Sequence, residues 1–440
     1  MAIKILIGGS PCTYWSIAQT NNRETKAEGM GWELFKNYLI AKEKFKPDFF
    51  LYENNKSASQ AIKDQIAEEF GVGVDPNVRF TYINSALVSA QNRQRFYVTN
   101  FGDIEQPEDR GILLKDILET GDTDREKSHA VISSAGRTTT TREYFDKQQG
   151  TMACEPINID NTLSFKSNDS YVQYDLSGKN HNSQDQRAYY IDGKHGTLNA
   201  SSTQSKTGVI EPVNTSVDGK SRTIKAQYYK NSDANFVTNG GFGASAVAEK
   251  VGYATPIEWD ENGVPIKAVS CADGKTYTVY EVKDGQITIN SKQYPIKLID
   301  GYYLIRKLTV KECARLQTMP DDYCKAVSDS QAYKALGNGW TAEVIIHLLN
   351  HALKDVPRDE EIVVLSMYDG IATGRYCLDK MGFTNVTYHA YEIDKYPITV
   401  AMDNYPDIIQ HGDAFAVRED DWKPPQTRSE WLDELLGGDL

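Results

Sequence analysis

Ile3-Lys4-Ile5-Leu6-Ile7-Gly8-Gly9-Ser10-Pro11-Cys12 carries an apolar run straight into a glycine-proline turn. Ile3 to Ile7 read as a buried strand that the glycines and Pro11 break at its carboxyl end. In open α/β sheets ligands sit at the carboxyl ends of the strands, so the Cys12 thiol is predicted to face a site. A thiol becomes a nucleophile where its surroundings lower its pKa. A lone cysteine is more often simply buried, so other segments must decide between the two.

Three segments favour the site. Phe49 to Tyr52 form a second short apolar strand that ends in Glu53-Asn54-Asn55. Gln91-Asn92-Arg93-Gln94-Arg95 places two arginines at i and i+2, which point the same way if the chain is extended. Far downstream, Ile362-Val363-Val364-Leu365-Ser366 runs into Met367-Tyr368-Asp369-Gly370-Ile371-Ala372-Thr373-Gly374 and then into a helix predicted over Arg375 to Met381. Strand, glycine loop and helix in that order place backbone N–H groups against a nucleotide-like cofactor. Tyr388-His389-Ala390-Tyr391-Glu392-Ile393-Asp394 then ends a strand in an acid about 20 residues after the loop, the usual spacing for a ribose partner. His411-Gly412-Asp413 closes a third strand, predicted over Ile408 to His411.

Together these segments resemble the DNA cytosine-5 methyltransferases. Gly9-Ser10-Pro11-Cys12 is similar to the family's catalytic loop, Glu53-Asn54-Asn55 to its Glu-Asn-Val motif, and Gln91 to Arg95 to its Gln-x-Arg-x-Arg motif. Leu308 to Asp321 closely matches the ninth motif and Leu336-Gly337-Asn338-Gly339-Trp340 the tenth, while Asp369 to Gly374 resembles the cofactor loop of the mammalian de novo enzymes. The order departs from the family, which opens on the cofactor loop; here the cofactor motifs come last. The resemblance therefore implies a circular permutation broken between the third and fourth sheet strands. The implied fold class is α/β: a Rossmann-like, class I S-adenosylmethionine-dependent methyltransferase fold with an inserted, irregular β-rich target-recognition domain.

The resemblance also implies roles. Cys12 would attack carbon 6 of a flipped cytosine, and Glu53 would protonate nitrogen 3, which needs a carboxyl pKa raised by burial. Arg93 and Arg95 would hold the cytosine carbonyl oxygen and a neighbouring phosphate. Gln91 would shape the base pocket, with Ser10, Pro11 and Asn54 as further substrate contacts. For S-adenosyl-L-methionine, Tyr368, Asp369, Gly370, Ile371, Thr373 and Gly374 would line the methionine part. Glu392 would take the ribose hydroxyls, Ile393 would pack on adenine, Asp413 would accept from the adenine amino group, and Asn338 would contact the methionyl end. Asp394 is expected to be a helix cap and Trp340 a core residue. Tyr14 and Trp15 stand where the family has small or amide residues, and Asn55-Lys56 where it has an apolar one. A larger or charged S-adenosylmethionine derivative is thus an alternative donor, unless the two aromatics only pack the loop. RNA cytosine methylation and a catalytically silent DNA-binding paralogue are competing functions for the same set of motifs.

Composition is consistent with an intracellular enzyme. The 440-residue chain has no apolar run long enough for a bilayer, and its start does not read as a signal peptide. Six cysteines without a C-x-x-C pair argue against a zinc site and for a reducing cytoplasm, so no metal is expected. The net charge of −13 looks wrong for a DNA binder, but residues 355–440 hold 18 acids against 7 bases, a balance of −11. Residues 194–230 are basic, and Lys220, Arg222 and Lys225 are the candidate phosphate contacts, with a solvated face as the even alternative. Double-stranded DNA is the expected partner, with restriction or phage-defence partner genes and no membrane.

Three parts are expected. Residues 1–102 form the catalytic half, with strands at 3–8, 48–52, 79–84 and 95–99 and helices near 31–45 and at 57–70. Residues 103–305 form the recognition domain, rich in Gly, Ser, Thr, Asn and Tyr. They include strands such as Tyr277 to Tyr280 and Gln286 to Ile289, and an Asp-Gly-Lys echo at Asp192 and Asp218. Residues 306–440 complete the transferase domain, with helices at 309–317 and 341–354.

Overall fold

The computed structural model describes residues 2–16, 23–131, 141–147, 150–157, 164–168, 171–175, 187–190, 208–210, 253–260, 265–270 and 275–427. Seven strands form the central sheet: β1 (Ile3–Gly8), β2 (Phe49–Asn55), β3 (Arg79–Asn84), β4 (Gln94–Thr99), β5 (Ile362–Met367), β6 (Val386–Tyr391) and β7 (Ile409–Gln410). Their spatial order is β7-β6-β5-β1-β2-β4-β3. The first five are parallel, and β4 runs antiparallel between β2 and β3. β5 is buried at every position, the pattern of a strand covered on both faces.

The glycine-loop strand β5 lies directly beside the Cys12 strand β1, in register from Ile3↔Ile362 to Gly8↔Met367. From this seam the chain winds outward in opposite directions, β1 to β2 on one side and β5 to β6 to β7 on the other. It is the topological switch point of a doubly wound sheet, where loops diverge and leave a crevice. Chain segments far apart in sequence are thus brought to one seam.

Helices cover both faces. α1 (Met30–Phe45) and α2 (Gln60–Phe70) pack Phe35, Tyr38, Ile62, Ile66 and Phe70 on one side. Ser59 caps α2 by accepting from the Ile62 N–H, and Gly71 ends it in the left-handed conformation. The other side is covered by α3 (Val310–Leu316), α4 (Asp329–Asn338), α5 (Ala342–Leu353), α6 (Thr373–Lys380) and α7 (Lys395–Asn404). Thr309 and Glu312 close a capping box on α3. Asp394 caps α7, as expected from the sequence, and also pairs with Lys334.

The described part of residues 103–305 is mostly β. Strands Thr276–Lys283 and Gln286–Ile289 fall where alternation predicts them. Strand Gly301–Lys307 pairs along its length with Met152–Ile157, while Leu114, Ile117 and Val131 join the transferase core. Buried Arg306 ties the two regions by donating to Glu155 of one strand and to Glu312 of α3. Lys220, Arg222 and Lys225 and the Asp-Gly-Lys echo lie outside the described residues.

Candidate active site

The Cys12 loop is locked to the strand beside it. Gly9 passes so close to β2 that a Cβ there would stand 2.5 Å from the Glu53 carbonyl oxygen and 3.0 Å from Glu53 Oε2. Only glycine permits that approach. Asn54 Nδ2 donates to the Ser10 carbonyl at 2.9 Å, and the Ser10 and Tyr52 hydroxyls meet at 2.7 Å. Cys12 then opens a short 3-10 turn (Cys12–Tyr14), partly exposed, its carbonyl accepting from the Trp15 and Ser16 N–H groups. Ser10 and Asn54 are buried and bonded to each other, and so brace the loop. Pro11 is exposed beside Cys12.

Trp15 is fully buried against Trp32, and its indole N–H donates to Glu24. Arg23 anchors the same turn to β2's end through the Trp15 and Ser57 carbonyls. Trp15 therefore packs the loop, and Tyr14 lies partly buried against the same cluster.

Glu53 faces two donors. Arg95 Nε lies 2.9 Å from Oε1, and Trp340 Nε1 donates to Oε2 at 3.0 Å. The two elements come from opposite ends of the molecule's sequence. Trp340 packs partly buried against the core, as expected, and its indole N–H also reaches the site. Its only sequence signal was its place at the end of the tenth-motif segment.

The arginine pair divides. β4 begins only at Gln94, so Arg93 is not part of one extended run with Arg95. Arg93 is 4% exposed, and its guanidinium donates to the carbonyls of Val131, Gly337 and Gly339. Burial first, and Arg95 second, pull its pKa below the usual arginine range. With these donors on main chain, Arg93 braces the turn before α5. Gln91 is likewise fully buried, donating to the Leu316 carbonyl and Gln317 and accepting from the Val131 N–H.

Across the seam, the glycine loop turns sharply after β5. Tyr368, Gly370 and Ala372 all adopt positive φ, at 61°, 65° and 59°. Ile371 and Thr373 are buried beneath the turn. Gly374 lets α6 sit on the sheet, since a Cβ there would meet Ile7 Cδ1 at 2.2 Å. Glu392, just past β6, gathers the N–H groups of Gly370, Ile393 and Asp394. A carboxylate accepts in about four directions, so one remains. Ile393 stands 75% exposed beside it. Asp369 accepts from the Ser366 and Tyr388 hydroxyls through Oδ1, while its buried Oδ2 has no hydrogen-bond partner among the described residues. Burial pushes its carboxyl up to about 6. Asp413 is exposed and caps the 3-10 turn Ala414–Arg418, and Asn338 is exposed at the end of α4.

Such a site, with a thiol loop and a glycine loop at one switch point, is that of an α/β group-transfer enzyme. The model of the C-5 cytosine-specific DNA methylase family matches residues 1–354, and the chain belongs to that family. The orphan methyltransferase M.SPRI of Bacillus phage SPR is 26% identical over 375 residues, covering 78% of this chain and 80% of that protein. The type II methyltransferase M.BanI of Aneurinibacillus aneurinilyticus is 50% identical over 40 residues, 9% of each chain. Among solved structures, the Entamoeba histolytica methyltransferase EhMeth aligns over 80% of this chain and 78% of its own at 10% identity and a TM-score of 0.33. The S. pombe Dnmt2 methyltransferase aligns over 80% and 99% at 10% identity and a TM-score of 0.28. Those structural likenesses are too distant to argue from. The chain is a cytosine C5 methyltransferase by family. No described helix is long and apolar enough to cross a membrane.

Proposed function

We propose that this enzyme methylates carbon 5 of a cytosine flipped out of duplex DNA, through a covalent Cys12 adduct. The observation that carries the reading is the direct packing of the Cys12 loop on the Glu53 strand, beside the glycine-loop strand. Carbon 5 of cytosine is a poor nucleophile. Attack of the Cys12 thiolate forms the sulfur–carbon 6 bond and pushes the ring's π electrons toward carbon 5 and nitrogen 3. Glu53 protonates nitrogen 3, so no full negative charge builds on the ring. After transfer, loss of the carbon 5 proton to a base forms the carbon 5–carbon 6 double bond and returns the sulfur–carbon bond pair to Cys12, while nitrogen 3 gives its proton back to Glu53. Arg95 orients the Glu53 carboxyl. A base in the stack cannot reach such a pocket and must be flipped.

The glycine-loop residues fit S-adenosylmethionine. Gly370 faces open space, Glu392 keeps one accepting direction beside exposed Ile393, and the buried Asp369 Oδ2 lacks a hydrogen-bond partner among the described residues. Tyr368 to Gly374, Glu392 and Ile393 would hold it, with Asn338 and Asp413 at the margins of the site. When bound, it supplies the electrophilic sulfonium methyl group. Burial of Trp15 supports its packing the loop over a part in donor choice.

The chain order is read as a circular permutation. Counting from β5 as the first strand, the sheet order becomes 3-2-1-4-5-7-6, a doubly wound order with its switch point between strands 1 and 4. The family match ends at residue 354, just before that strand. Duplex DNA is favoured over RNA by the family and by the long insert between Thr99 and Lys307. The basic residues Lys220, Arg222 and Lys225 remain candidates for phosphate contact.

The test is a duplex carrying 5-fluorocytosine at the methylated position, from which the final elimination cannot occur. The parent protein should form an adduct that survives denaturing electrophoresis. Cys12→Ser should form none while binding the donor with unchanged affinity. Equal adduct yield in Cys12→Ser would refute the assignment.

A further inference from the structure

Trp340 carries no step of the reaction, yet its indole N–H is aimed at the acid. It donates to Glu53 Oε2 at 3.0 Å while Arg95 Nε stands 2.9 Å from Oε1. With one direction on each oxygen already taken, about one direction per oxygen remains. The free directions define a single edge of the carboxyl group. A ring nitrogen flanked by an exocyclic amino group requires such an edge, since one oxygen delivers the proton and the other accepts an amino N–H.

The turn that carries Trp340 is held in place by buried polar groups. Arg93 donates to the Gly337 and Gly339 carbonyls, and Gln317 Nε2 donates to the Leu336 carbonyl at 2.7 Å. The Thr341 hydroxyl donates to Gln317 Oε1 and meets the Ser85 hydroxyl at 2.8 Å. Arg93, Gln317, Thr341 and Ser85 are all buried. Burying polar side chains is costly unless each is bonded. Here that bonding is spent on one turn, whose partly exposed product is the orientation of Trp340.

We propose that Trp340 is a positioning residue for Glu53, fixing the plane of its carboxyl group so that its free edge meets the target base. The inference rests on the reading of Glu53 as the nitrogen 3 proton donor. The test uses the full-length enzyme, duplex DNA and S-adenosylmethionine, comparing the parent with Trp340→Phe, which keeps an aromatic ring and removes the N–H. Losing a hydrogen bond to a charged partner should lower kcat on the order of 10–100-fold. Donor affinity, DNA affinity and Tm should stay near the parent's.

A second readout isolates the step before transfer. Release of tritium from 5-tritiated cytosine without donor needs only thiol addition, nitrogen 3 protonation, exchange at carbon 5 and reversal. It should fall in parallel with kcat. In the Glu53→Gln background, Trp340→Phe should cause no further loss, because both act through one carboxyl. A kcat within twofold of the parent while Glu53→Gln is severely impaired would overturn the role of Trp340 alone. So would a loss confined to donor affinity or Tm, or losses that multiply in the double variant. A fully active Glu53→Gln would instead overturn the proton-donor reading, and this inference with it.

Discussion

Arg93→Met separates a brace from a ligand. The substitution keeps the aliphatic stem and removes a guanidinium that donates to three carbonyls at 2.8–3.3 Å. The Val131 and Gly337 oxygens lose their guanidinium donor, and Gly339 keeps only a 3.4 Å contact from Gln317. Each buried acceptor left unsatisfied costs ~1–3 kcal/mol, and part is offset because the buried charge is also gone. A net loss of about 3 kcal/mol follows, or roughly 6–12 °C in Tm for a domain of this class. Arg93→Lys should recover little, since a point ammonium cannot span carbonyls arranged for a planar fork. The assay is a thermal melt of both variants beside the salt dependence of DNA binding. A brace predicts a lowered Tm with the parent's salt slope. An unchanged Tm with a slope reduced by about one would mean that Arg93 contacts phosphate, and would refute the reasoning.

Two further outcomes follow from the seam between β1 and β5. The Asp369 carboxyl is pushed up to about 6 by burial, above its ordinary 3.8, so folding favours its neutral form. Its contribution to stability is complete below the ordinary value and is lost as pH rises through about 6; the Tm advantage of Asp369→Asn over the parent should therefore grow between pH 4 and 7, and a pH-independent difference would refute it. Joining Leu440 to Met1 through a short linker and reopening the chain just before Ile362 should give a protein that folds and methylates the same site as the parent, as judged by bisulfite sequencing; failure to fold across several linker lengths would refute the permutation reading.

Ile3–Gly8 and Gln286–Ile289 fall on their expected bounds, and Val310–Leu316 and Ala342–Leu353 lie within a residue of theirs at each end. These strands and helices were legible because their signals are local. Apolar runs, caps and glycine turns act within a few residues, so pattern alone locates them. α6 starts two residues early, at Thr373, because Ala372 in the left-handed conformation ends the glycine loop. α2 starts three residues late, because Ser59 caps it.

The sequence by itself named the candidate reactive groups: the thiol of Cys12, the carboxyl of Glu53 and a glycine loop preceding Glu392. It could not sort the polar residues around them into contacts and braces. Arg93 and Arg95 are the same residue type two positions apart, yet one holds carbonyls more than 200 residues downstream and the other holds Glu53. Gln91, Ser10 and Asn54 likewise carry no sequence signal of the buried partners they take in the fold. Trp340 read as core because an indole is mostly apolar surface, and only the fold brings its N–H to a carboxyl 287 positions away. Hydrogen bonds are short-ranged and directional, so their partners are set by which segments the fold brings side by side. That was decided by the tertiary structure alone.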